Sequence, residues 1–229
     1  MALGHDKQGR PIHLQRAGVA SGKRMAEACA YFGREWQQAF MSRNIFFQEL
    51  QAARMEDATQ RFGHLVTQQV VIMDMAGMSF RPDQRALTIF RDFAGMMSRN
   101  YPETLYKQFI INAPRVFSAI WRIVRVWLDP NTREKVRYVR PRHTVLRPPT
   151  CSSRPVQVHV LGSTFAPTLL QHIDAHQLPV EYGGTSPYKF PVVKSIGEGE
   201  ALWKAAVQEF NAPELLSETG WMAAPTPLG

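Results

Sequence analysis

The chain has 229 residues, a formal net charge of +8 and 45% hydrophobic content. That is enough for one sizeable core and excludes wholesale disorder. No run of about 18 apolar residues occurs, so no segment reads as a bilayer span, and the opening MALGHDKQGRP lacks the apolar stretch of a signal peptide. Two cysteines, Cys29 and Cys151, lie far apart without metal-type spacing, which points to free thiols in a reducing compartment. Much of the basicity sits in residues 137–158, which hold Arg137, Arg140, Arg142, Arg147 and Arg154 and no acid. The 27 basic residues less those five leave 22 against 19 acidic, or +3. With no zinc-finger spacing and no RNA-binding aromatic signature, nucleic acid is not the expected partner.

In chain order, Gly9-Arg10-Pro11 reads as a turn entering a strand at Ile12-His13-Leu14. Ser21 precedes a long helical region, roughly 22–60, with Met25, Tyr31, Phe32, Trp36, Phe40, Phe46, Phe47 and Leu50 at broadly helical spacing. Val70-Val71-Ile72-Met73, ending at Asp74, is a continuous apolar run of the kind buried on both sheet faces. A helix over Asp83–Ser98 carries Leu87, Phe90, Phe93 and Met97 on one face, and Lys107–Ala113 reads as another buried strand. A strand at 158–162, a helix near 167–173 and an amphipathic helix from Ala201 to Phe210 complete the pattern, before a Pro/Gly/Ala-rich tail. Strands alternating with helices predict an α/β fold with a mainly parallel sheet.

Residues 115–128 form the least ordinary helix. Arg115, Ser118, Arg122 and Arg125 share one arc of about 80°, and the rest of the circumference is apolar. Two readings are open: a helix buried between sheet and other helices, or one that packs on one side and faces lipid on the other.

Six motifs then occur in order: GRPI, GHLV…VIMDMAGMS, YPETLYKQFIINAP, FSAIWRIVRVWLDPNTREKV, HVLGS and QLPVEYGGTS. Together they closely resemble the CRAL-TRIO lipid-binding domain of Sec14-like phosphatidylinositol transfer proteins. The resemblance implies a mixed sheet flooring an apolar pocket for one phospholipid, in a lipid-binding domain over 1–186, followed by a C-terminal helix and tail over 187–229. It implies that helix 115–128 is a gate, with Phe117, Ile120, Trp121, Val124, Trp127 and Leu128 against acyl chains or bilayer. It assigns the phosphatidylinositol headgroup to Asp6, Glu103, Thr132 and Lys135. Lys135 and Thr132 would hold the phosphate, beside a helix start capped by Asp129 with Pro130 in its first turn, and Glu103 would accept from the inositol ring.

Departures from the family also carry information. Its phosphatidylcholine contacts are serine, threonine and tyrosine hydroxyls. The matching positions here are Ala2, His13, Gln69 and Val71, so a choline site is not expected. The resemblance implies an N-terminal helical subdomain that supplies an arginine to the phosphate site, and the expectation here is that it is missing before the first strand. The Arg/Pro-rich segment 137–158 interrupts the domain, and its removal restores family spacing. It reads as a retained intron or gene-model error in preference to a surface loop. Asp74 with His64 or His172 could form a catalytic set, but no nucleophile elbow, phosphate loop or dinucleotide fingerprint accompanies them. The expectation is therefore a monomeric lipid-binding and transfer protein with no catalysis and no metal. Its partners would be phosphatidylinositol, a cytosolic Golgi or endosomal membrane surface met peripherally, and lipid kinases. The alternative is a family remnant without exchange activity, or a binder of another small hydrophobic ligand.

Overall fold

A computed structural model describes residues 2–19, 22–33, 36–78, 84–114, 136–139, 158–189 and 194–209, together with Phe117 and Val126. Among the described residues, six strands form one sheet in the order β1-β2-β3-β4-β6-β5. They are β1 (Ala2–His5), β2 (Pro11–Gln15), β3 (Gln69–Asp74), β4 (Leu105–Ile111), β5 (Val136–Val139) and β6 (Val158–Leu161). Only β1 pairs antiparallel, with β2; all other neighbours run parallel. The helices are α1 (Gly22–Phe32), α2 (Trp36–Phe62), α3 (Gln84–Asn100), α4 (Ala166–His172) and α5 (Ile196–Glu209). The expected mixed, mainly parallel α/β sheet with helical crossovers is what the chain builds.

Three local differences have physical causes. The single helical region expected over 22–60 is divided: α1 ends at Phe32 and Gly33 turns to φ 58°, a left-handed step that only glycine takes without strain. β1 is an added edge strand, joined to β2 by a loop in which the Asp6 amide donates to the Arg10 carbonyl at 2.9 Å. Arg137–Val139, assigned above to the inserted segment, extend β5 beside β6.

Described elements pack on both faces of the sheet. On the first, Ile12, Leu14, Val70, Ile72, Phe109 and Ile111 project at alternate positions and form one core with Phe165, Leu169, Ile173, Leu178 and Tyr182. Burying each large side chain contributes roughly 1.5–3 kcal/mol, which lets the short α4 hold its place through Leu169. On the second face, α2 lies over the β2–β3 side, with Phe47 against His13 and Gln48 bonded to Gln69. Met75, Ile110, Phe117, Val158 and Val160 form a separate cluster there. Between these lie the half-buried Val71, Met73 and Gln108.

Asp74 ties the C-terminal ends of the strands together. Its carboxylate accepts from the Ala76 amide (2.9 Å), Asn112 Nδ2 (2.8 Å) and the Tyr182 hydroxyl (2.9 Å). Burial and the neighbouring carboxylate raise the Tyr182 pKa. Asp74 thus ends its strand in a turn, with its oxygens committed to structural donors.

Candidate functional site

The register collects the predicted polar residues at the opposite end of the strands. Ile12 pairs with Val70, and Gln69 pairs with Leu105. The Asp6–Arg10 loop, Gln68 and Glu103 therefore follow one another along a single sheet edge. Gln68 Nε2 donates to the Glu103 carbonyl at 3.1 Å. Beside it lies a notch of about 440 Å³ lined by Lys7, Gln8, Arg10, His64, Leu65, Val66, Thr67 and Gln68. β5 enters from the same end, since Val136 pairs with Val158, and Val158 with Gln108. Thr132 and Lys135 lie outside the described residues, as do Ile120, Trp121, Val124, Trp127 and Leu128. Of the gate positions, Phe117 is buried against Ile110 and Val160.

Asp6 and Glu103 have very different surroundings. Asp6 is 3% exposed. It accepts from the Gln8 and Arg10 amides at 2.9 Å each and from Arg10 Nη1 at 3.1 Å. An acid so committed acts through what it holds. Arg10 is drawn down over the Tyr106 ring, 3.7 Å from guanidinium carbon to ring centroid. Glu103 sits exposed in the turn before β4 with φ 57°, a conformation uncommon for a side chain without local hydrogen bonding. Its side chain is exposed at that end of the sheet.

Sequence reasoning missed two contributors, Lys107 and Tyr106, and singled out His172 only as a candidate base. Lys107 projects from β4 to His172 on α4, with 3.3 Å between Nζ and Nε2. Burial lowers both pKa values, His172's further through the Lys107 charge and Lys107's through Arg10. His172 therefore stays neutral and accepts from the ammonium group. Tyr106 is the extra residue of a bulge, because Gln69 opposes Leu105 while Val70 opposes Lys107. That bulge turns Tyr106 beneath Arg10. A lysine inside an otherwise apolar strand was the available signal. His64, weighed above as a base, stands exposed with its ring nitrogens against the Phe62 and Gln8 carbonyls.

The four positions where the sequence lacks choline hydroxyls also converge. Ala2 pairs with His13, His13 with Val71, and Gln69 lies two residues before Val71 on the same strand face. His13, Gln69 and Val71 lie on the second face, where Val71 and the neighbouring Met73 are half-buried.

A profile of the CRAL/TRIO domain matches residues 1–147. The chain belongs to the CRAL/TRIO domain family. The domain is 27% identical over 183 residues to a CRAL-TRIO domain-containing protein of Saccharomyces cerevisiae, covering 79% of this chain and 50% of that one. It is 26% identical over 189 residues to the SEC14 cytosolic factor of Yarrowia lipolytica, covering 82% and 32%. Against the phosphatidylinositol/phosphatidylcholine transfer protein SFH7 of Arabidopsis thaliana it is 28% identical over 188 residues, covering 79% and 28%. The chain thus spans between about a quarter and a half of the length of these curated relatives. Among solved structures, Sfh5 matches with a TM-score of 0.51 at 16% identity, over 89% of this chain and 64% of that one. The likeness to Sfh5 shows that the CRAL/TRIO fold is shared. No helix among the described residues is long and apolar enough to cross a membrane.

Proposed function

We propose that this CRAL/TRIO domain binds one phospholipid, phosphatidylinositol, and transfers it between membranes or presents it to a lipid-modifying enzyme. The observation that carries the reading is the pairing of an apolar sheet face with a polar edge at one end of the same strands. The half-buried Val71 and Met73 offer surface to acyl chains, next to the buried Ile110 and Phe117. The Arg10 and Lys107 cations and the Glu103 carboxylate offer the two chemistries a phosphoinositide headgroup needs. Two relatives support it by name, as a SEC14 cytosolic factor and a phosphatidylinositol/phosphatidylcholine transfer protein.

In this reading Glu103 accepts from inositol hydroxyls while Thr132 and Lys135 bind the phosphate. Asp6 contributes indirectly by fixing Arg10. Helix 115–128 covers the acyl chains through Phe117, Ile120, Trp121, Val124, Trp127 and Leu128, and opens at a cytosolic membrane surface. Exchange needs no covalent step. The decisive test is mass spectrometry of lipid extracted from the chain purified from a eukaryotic host. Phosphatidylinositol near one per protein is the expected result, and a Lys135→Ala variant should lose it while keeping its far-UV circular dichroism. Undiminished loading in that variant rejects the headgroup assignment, and a folded, lipid-free chain rejects the reading.

A further inference from the structure

The edge strand β1 meets the short helical turn Ala175–Gln177 through three side chains that the lipid-binding reading leaves unused. Gln177 reaches across β1 at Gly4, where a Cβ would collide with its amide oxygen. That oxygen accepts from the His5 backbone amide at 3.1 Å, which assigns the side-chain nitrogen to the other contacts. Gln177 Nε2 lies 2.9 Å from His176 Nε2 and 3.5 Å from His5 Nε2. Two imidazole rings from distant parts of the chain therefore converge on one atom.

The hydrogen bonds fix which ring atoms carry lone pairs. The Asp6 carbonyl lies 2.9 Å from His5 Nδ1, so the neutral ring holds its proton there and presents a lone pair at Nε2. The Gln177 amide nitrogen has two hydrogens and donates one to each ring. His176 Nε2 is thus an acceptor as well. We propose that His5 and His176 form a site for a divalent transition-metal ion of the zinc, nickel or copper class, in which the ion takes the place of the Gln177 amide between the two rings. The inference is independent of the lipid-binding reading above. A histidine that ligates a metal almost always engages its other ring nitrogen with a carbonyl, carboxylate or water, which orients the ring and raises its basicity. His5 has that arrangement through the Asp6 carbonyl.

The surroundings suit that class of ion. Imidazole nitrogen favours zinc, copper and nickel, whereas magnesium and calcium seek oxygen. The His5 ring packs edge-on against Phe62, with 5.0 Å between centroids, which holds the first ligand in place. His176 is exposed and Gln177 half-buried. The second ring is therefore able to close to the roughly 2.0–2.1 Å of a zinc–nitrogen bond, while the amide swings aside at the cost of its bond to the His5 backbone. Among the described residues no group of three histidine, cysteine or acidic side chains is placed to hold a metal. The site is thus a two-histidine one completed by water, and its affinity is modest. A bound ion clips β1, and with it the Asp6–Arg10 loop that follows His5, to the turn at 175–177.

The test titrates the tag-free full chain with zinc chloride, followed by calorimetry and by the imidazole resonances in NMR. One equivalent should bind, with the His5 and His176 signals moving together. His5→Gln and His176→Gln should each weaken binding at least about tenfold. Gln177→Ala removes the competing donor and should keep or tighten it. Zinc should also raise the thermal midpoint of the parent chain and leave that of His176→Gln in place. His176 is exposed, so its variant reports on the site even if the His5 variant folds poorly. No binding at millimolar zinc overturns the proposal. Binding that moves other histidines, or that survives both histidine variants, overturns it too and marks the ion as adventitious. Weaker binding in Gln177→Ala overturns the place-holding role given to the amide.

Discussion

The two faces of the sheet solve different problems with the same strands. The first is closed: Ile12, Val70, Ile72, Phe109, Ile111, Leu169, Ile173 and Leu178 are at most a few per cent exposed and make one continuous core. The second mixes buried polar groups, His13, Gln48, Gln51 and Gln69, with half-buried apolar ones, Val71 and Met73. A face built for stability does not need buried polar groups or partly open valine and methionine. Under the proposed function the contrast would give stability to the first face and ligand binding to the second, and it can be broken by mutation.

The largest effect should come from Phe109→Ala. It removes a fully buried ring from the first core and should cost about 3–5 kcal/mol in urea unfolding. Val71→Ala on the second face should cost less than about 1.5 kcal/mol yet reduce retained lipid per protein. Equal destabilisation by the two would erase the distinction between the faces.

Next in size is Asp74→Ala. It removes the acceptor that the Tyr182 hydroxyl and Asn112 Nδ2 share, with an expected cost of about 1–3 kcal/mol. Since this residue joins β3, β4 and the turn at 180–182, the loss should appear as faster amide exchange at that end of the sheet. A large loss of lipid transfer with unchanged stability would instead return Asp74 to a direct role in function.

How much of this division was visible in the sequence depends on the kind of side chain. Val70–Met73 and Phe109–Ile111 announced buried strands because both faces of a central strand demand apolar residues. β1, as Ala2-Leu3-Gly4-His5, and β5, as Val136-Arg137-Tyr138-Val139, were not legible. Short edge strands carry mixed residues, and their place comes from pairing with β2 and β6. At the candidate site, residue type alone could place Glu103 in a turn. It could not say that the Asp6 carboxylate would be turned inward and used up on Arg10 and two amides. That outcome depends on a tight loop around Gly9, whose φ of 80° and close approach to Phe62 leave no space for a side chain. Gly9→Ala should accordingly cost at least about 1–2 kcal/mol and loosen Arg10, seen as weaker phosphatidylinositol loading at raised salt.

The smallest effect separates the faces by pH. His13 sits on the second face and His172 at the rim of the first, and burial lowers the pKa of each beneath the ordinary 6.5. A histidine whose folded pKa is lowered binds fewer protons in the folded chain than in the unfolded one. Stability is therefore full above about pH 6.5 and declines as pH falls below it, by at most about 1.4 kcal/mol per pH unit for each histidine. Lys107, Lys7 and Asp6 surround His172, the two cations lowering its pKa and the acid opposing them. For His13 the dominant cause is burial itself, with Arg54 adding to it. Removing the opposing cation should thus matter on one face only. Lys107→Gln should shift the His172 titration upward in NMR while leaving that of His13 in place. A shift of both would mean that the two faces share one electrostatic environment, and the separation argued from packing would not hold for charge.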